Sequence, residues 1–178
     1  KSGVLEGLRR VFNQRKHVKF LLAGDDRIMP LLPLPADRII FQPYVMWRDW
    51  PRVLRRMDIG IAPLHSRYDW SRSYIKSMEN SLMGIPFIAT GCPTYAEWQA
   101  RDVGLYVEDG PDNPQDLARR KDEWEELLLD LIDNYPEHKA RIDSQFEIAM
   151  EYDVDRNVKY IESVYNEIVQ KDKTGRRN

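Results

Sequence analysis

The chain has 178 residues, 42 % of them apolar and 31 % charged, with a formal net charge of -2. That length supports one domain with a real core. The near-neutral charge excludes a strong global field for nucleic acid or an anionic membrane. The single cysteine, Cys92, cannot form an internal disulfide, which fits a reducing, cytoplasmic setting. No apolar run approaches the ~20 residues needed to span a bilayer, and no signal peptide opens the chain. The start at Lys1-Ser2-Gly3 reads as that of a fragment.

The apolar pattern switches between two periods along the chain. Leu5, Leu8, Val11 and Phe12 recur at helical spacing after a cap at Ser2. Val18 to Ala23 reads as a buried strand ending at Gly24, and Ile39-Ile40-Phe41 as a second. Between them, Met29 to Pro35 holds three prolines, so an irregular connection is expected there instead of a helix. Trp50 to Met57 predicts a helix with Pro51 in its first turn, and Asp58 to Ala62 a third strand stopped by Pro63. Ser73 to Met83 predicts a helix with Gly84 at its end. Phe87 to Thr90, Tyr95 to Arg101 and Leu105 to Val107 complete the alternation as strand, short helix and strand. Such alternation implies α/β architecture: a doubly wound parallel sheet covered on both faces, with Gly24, Pro63 and Thr90 on one edge.

After Val107, Glu108 to Asp116 reads as a surface loop. Three helices are expected next, over Glu123 to Asn134, Pro136 to Glu151 and Val154 to Gln170. Their apolar stripes need a surface to cover, and the sheet edge is the expected one. Lys171 to Asn178 is polar and reads as a disordered tail.

The segment Ala62 to Glu79 carries the chemistry. Ile75, Met78, Leu82 and Met83 form an apolar stripe on a helical wheel, and Glu79 falls inside it. A carboxylate there needs a partner, because burying it alone is costly. Arg67, Arg72 and Lys76 crowd the start of the same helix, where the dipole disfavours cations by ~0.3–1 kcal/mol each. A bound anion removes that penalty, so a phosphate near Ser73 to Lys76 is one reading. A solvated Lys76–Glu79 ion pair, worth ~0.5 kcal/mol or less, is the other.

Three stretches in order are Asp58-Ile59-Gly60-Ile61-Ala62-Pro63-Leu64, Ser73-x-x-Lys76-x-x-Glu79 and Gly84-Ile85-Pro86-Phe87-Ile88-Ala89-Thr90. With Leu21-Leu22-Ala23-Gly24 before them and Tyr95, Gly104-Leu105-Tyr106-Val107 and Trp124-x-x-Leu127-Leu128 after, they resemble the C-terminal, donor-binding domain of GT-B glycosyltransferases of the retaining family-4 type. The resemblance implies a Rossmann-like half of a GT-B fold with three C-terminal helices, spanning residues 1–170, and an N-terminal acceptor domain outside this chain. It implies a nucleoside diphosphate sugar as donor and transfer without metal or other cofactor. Glu79 would accept from the ribose hydroxyls. Ser73, Tyr74 and Lys76, with Arg72 beside them, would hold the diphosphate, and Lys1 would touch phosphate. Gly24 and the loop Pro43-Tyr44-Val45 would lie at the nucleotide and its base. One position departs: Ser71 stands where the family often has a glutamate facing the sugar, and Asp69 is the nearby substitute. The catalytic residues therefore stay open. So does a non-catalytic module that binds nucleotide or a partner. Peripheral membrane association of a longer protein stays compatible with the pattern.

Other signals point elsewhere more weakly. Asp153-Val154-Asp155 is formally a metal motif, but helix capping explains it better. Asp25-Asp26 fits a turn. His17, His65 and His138 have no ligand spacing, although His65 follows the third strand at the binding edge. Trp47, Trp50 and Trp70 with arginines could form a single-strand nucleic-acid platform, which the net charge argues against.

Overall fold

A computed structural model describes residues 2–175. The elements run α1 (Val4–Gln14), β1 (Phe20–Gly24), β2 (Ile39–Pro43), α2 (Trp50–Leu54), β3 (Gly60–Ala62), α3 (Arg67–Trp70) and α4 (Ile75–Leu82). They continue with β4 (Phe87–Gly91), α5 (Ala96–Ala100), β5 (Leu105–Glu108), α6 (Pro114–Asp133), α7 (Tyr135–Ser144), α8 (Phe146–Met150) and α9 (Val154–Gly175). Every strand pairing is parallel, as the α/β alternation predicts. The prolines between β1 and β2 do replace a helix, leaving two short 3-10 turns.

The single sheet divides. β1 pairs only with β2, in the register Phe20↔Ile39 to Gly24↔Pro43, while β3, β4 and β5 form a separate three-stranded sheet. One helix layer spans both. Val4, Leu8, Val11 and Phe12 of α1 and Trp124, Leu128 and Leu131 of α6 form a core with Ile88 and Val107, against which Val18, Phe20, Ile59 and Ile61 pack. The two helices run the same way, since Gly3 abuts Arg120, Gly7 abuts Trp124 and Arg15 pairs with Asp133. α1 leads into β1 and α6 follows β5, and each runs back against its strand. The strands of both sheets therefore point alike, and their carboxyl ends gather at one end of the molecule.

On the opposite face, Phe87, Ala89, Tyr95, Trp98, Val103, Ile142 and Ala149 make the second core. Here α4 differs from its helical wheel. Its buried residues are Ser77, Asn80 and Ser81, with Met78 and Leu82 partly buried and Ile75 48 % exposed. Small polar side chains sit inward because the helix lies close on the sheet: a Cβ on Gly60 of β3 would come 2.6 Å from Asn80 Oδ1.

Four C-terminal expectations are corrected. α6 starts at Pro114, not Glu123, because Asn113 caps it by accepting from the Asp116 amide. The second helix breaks at Gln145 into α7 and α8. α9 covers no sheet edge: Val158, Ile161, Tyr165 and Ile168 are all exposed. It also runs on to Gly175, past Lys171 where a tail was expected. Asp153 caps it through the amides of Asp155 and Arg156, which accounts for the Asp-x-Asp.

Gly104 sits at φ 85°, and a Cβ there would overlap the buried Phe87 ring. Gly104→Ala should cost ~2 kcal/mol, lowering Tm by about 4–8 °C in thermal unfolding. Ile161→Ser on exposed α9 should leave stability within ~0.5 kcal/mol. An equal loss from both would contradict this picture of the core.

Candidate functional site

The carboxyl ends of β1 and β2 bound a cavity of about 320 Å³ lined by Ala23, Gly24, Pro43, Tyr44, Val45, Trp47 and Trp50. Gly24 (φ 107°) ends β1 in a conformation that favours glycine and has nothing within 4 Å of a built Cβ, so the strand end stays open to the cavity. Tyr44 and Trp47 are 78 % and 72 % exposed, large aromatic surface left in water. The Arg48 guanidinium lies 5.1 Å from the Trp47 ring centre. The structure thus brings Gly24, Tyr44 and Val45 together and adds Trp47 and Trp50. By contrast, a crevice lined by Pro86, Phe87, Gly104, His138 and Arg141 has only about 10 Å³, room for roughly one water.

The second group follows β3. Leu64 N donates to Thr90 Oγ1 at 3.0 Å, and Thr94 Oγ1 donates to the Trp70 carbonyl at 2.9 Å, so both ends of the segment 64–70 are tied to β4 and the turn after it. Ser66 and Asp69 form a capping box on α3. The Asp69 carboxylate accepts from Ser66 Oγ at 2.9 Å and Ser66 N at 3.2 Å, and the Ser66 hydroxyl above all holds its pKa below the usual value. Asp69 is therefore committed to the fold and is a poor substitute for a sugar-facing glutamate.

α4 begins at Ile75, two residues later than its pattern suggests. Tyr74 occupies the N-cap and gives no side-chain hydrogen bond, so the first-turn amides lack a side-chain cap. Ser73 is exposed and precedes the helix. The Tyr74 ring turns into the core, 5.9 Å from the Trp98 ring and 5.3 Å from Tyr152. Arg72 stays over Tyr68 at 5.6 Å, with its Nε 3.8 Å from Asp69. Lys76 is exposed and Glu79 half-buried. Among the described residues neither side chain has a hydrogen bond or ion pair, so the two do not pair with each other. Lys1 lies outside the described residues.

A third group joins His65, noted in the sequence, to Asp112 and Arg120, which were not. His65 Nε2 is 3.0 Å from Asp112 Oδ1, and Asp112 is 3.6 Å from Arg120. Arg120, 1 % exposed, donates to the Gly110 carbonyl at 2.6 Å and lies 3.6 Å from Asp109. This network ties the loops after β3 and β5 to α6. Its sequence signal, an arginine within Arg119-Arg120-Lys121, reads as surface charge. Asp25 is likewise absorbed locally: the Arg27 guanidinium and amide hold its carboxyl down to about 2.

No helix among the described residues is long and apolar enough to cross a membrane. No curated protein matches the chain. The family described as "Glycosyl transferases group 1" matches residues 3–124, from the start of α1 into α6. That match takes in both sheets, the cavity and α4, and it covers well over half the chain, which therefore belongs to the group 1 glycosyltransferases.

Proposed function

We propose that this domain is the donor-binding, C-terminal half of a retaining, metal-independent glycosyltransferase, acting on a nucleoside diphosphate sugar. The observation that carries the reading is the open aromatic cavity at the ends of β1 and β2, where Gly24, Tyr44 and Val45 meet Trp47 and Trp50. A nucleobase stacks well on such surfaces, each stacked base being worth ~1–3 kcal/mol. Across the same end of the molecule, the half-buried Glu79 has no competing partner among the described residues and can accept from two ribose hydroxyls. The diphosphate then lies between them, against the uncapped amides of α4 and the Lys76 ammonium. As the glycosidic bond breaks, charge builds on the leaving diphosphate, and these donors stabilise it. The acceptor is held by a further domain, so this chain alone should show no sugar transfer, because positioning both reactants supplies much of the rate.

Ser71 in the family's glutamate position, with Asp69 bound up in a capping box, favours a second reading. In that reading the domain binds nucleotide without catalysing transfer. Activity of the chain joined to its acceptor domain separates the two.

Glu79→Gln keeps the shape but removes the charge. It should weaken nucleoside diphosphate binding by ~1–3 kcal/mol, roughly tenfold to a hundredfold, with Tm nearly unchanged. Isothermal titration against wild type measures this, and equal affinities would remove Glu79 from the site. Trp47→Ala should likewise cost about tenfold to a hundredfold, again without destabilisation, since the indole is mostly in water. If nucleotide affinity survives that change intact, the base does not lie in this cavity.

A further inference from the structure

The lining of the cavity at the ends of β1 and β2 bears on the kind of base it takes. None of the lining residues carries a carboxylate, guanidinium, ammonium or amide side chain. Its largest members are the rings of Tyr44, Trp47 and Trp50. Among the described residues these rings stack on no other aromatic ring, and neither the indole N–H groups nor the Tyr44 hydroxyl has a hydrogen bond. Tyr44 and Trp47 also lie mostly in water.

The polar side chains nearest in sequence are engaged elsewhere. The Gln42 amide donates to the Pro43 carbonyl at 3.2 Å, and its oxygen accepts from Arg56 at 2.6 Å. Asp25 pairs with Arg27 at 2.7 Å and Asp49 with Arg52 at 3.4 Å. The Arg48 guanidinium lies over the Trp47 ring. Base edges are told apart by groups of these kinds: a guanidinium or ammonium for guanine, an amide for adenine, a carboxylate for cytosine. Where the lining offers none of them, preference follows stacking strength. The two fused rings of a purine overlay an indole more fully than the single ring of a pyrimidine. A volume of about 320 Å³ admits the larger base.

We propose that this cavity selects purine over pyrimidine nucleotides by stacking, with Trp47 as the residue that sets the preference, and that it does not distinguish adenine from guanine. The donor is then a purine nucleoside diphosphate sugar. The proposal rests on the donor-binding reading and narrows it. Trp47 carries the selectivity because it offers the largest ring with most of its surface free.

Isothermal titration of this chain with ADP, GDP, UDP and CDP is the test. ADP and GDP should bind within about threefold of each other, and each at least about threefold more tightly than UDP or CDP. Trp47→Ala should weaken the purine nucleotides more than the pyrimidine ones and close that gap. Trp47→Phe, which keeps one ring, should restore part of it. Melting temperatures of both variants check that the fold is intact. A smaller purine preference in the wild-type chain overturns the proposal. So does a wider separation of ADP from GDP, which requires a group reading the base edge. A purine preference that survives Trp47→Ala unchanged overturns it too. In these three outcomes a nucleotide still binds, so the donor-binding reading stands without this one. Binding of none of the four removes both.

Discussion

Gly7 lets α1 and α6 meet at backbone distance, and the architecture hangs on that approach. A Cβ at this position would lie 2.6 Å from the Cβ of Trp124. With the glycine in place, Trp124 is fully buried, and its indole N–H donates to the Ser2 carbonyl at 3.2 Å. Removing a buried tryptophan costs ~3–5 kcal/mol, whereas the rim pairs of Arg10 with Asp122 and Glu125 stay in partial contact with water and are worth ~0–1 kcal/mol each. Apolar packing therefore holds the pair, and the ions set its register. Because α1 belongs to one sheet and α6 to the other, this contact also keeps the two sheets aligned and their carboxyl ends together.

The carboxyl end of the molecule inherits its shape from that alignment. One wall is strand ends and aromatic loop, with Gly24 leaving the floor open. The other is a segment tethered at Leu64 and Trp70 by threonine hydroxyls and stiffened by the Ser66–Asp69 box. Such tethers keep α4 from drifting relative to β4. They also explain why Ser66, Asp69 and Thr94 are bonded within the fold, while among the described residues Lys76 and Glu79 have no such partner.

Most strands and the helices before β5 other than α3 were legible because burial on both faces leaves short apolar runs, and the prolines at positions 30, 33 and 35 rightly excluded a helix. What escaped was governed by contacts between distant residues. Ser77, Asn80 and Ser81 look solvated, yet all three are buried, Asn80 directly against Gly60. Arg120 looks like one charge in a basic run, yet it is buried among the carbonyl and carboxylates of 109–112. The opposite error occurred on α9, whose spacing is that of a packed helix although nothing described here covers it. Around the cavity, Gly24, Tyr44 and Val45 were picked out by residue order, while Trp47 and Trp50 were noticed only as an aromatic cluster and not as part of the same wall. Nor did residue order show that Tyr74 turns inward.

The exposure of α9 has a thermodynamic consequence. Val154, Val158, Ile161, Val164, Ile168 and Val169 are β-branched, and such residues lose rotamer freedom in a helix. With its apolar side in water, the helix has little besides local propensity to hold it, and isolated helices of this kind are marginal. Its helix–coil equilibrium is thus largely uncoupled from global unfolding. It should open at a small fraction of the free energy needed to open β4, and any surface that covers the stripe would shift that equilibrium without touching the sheets.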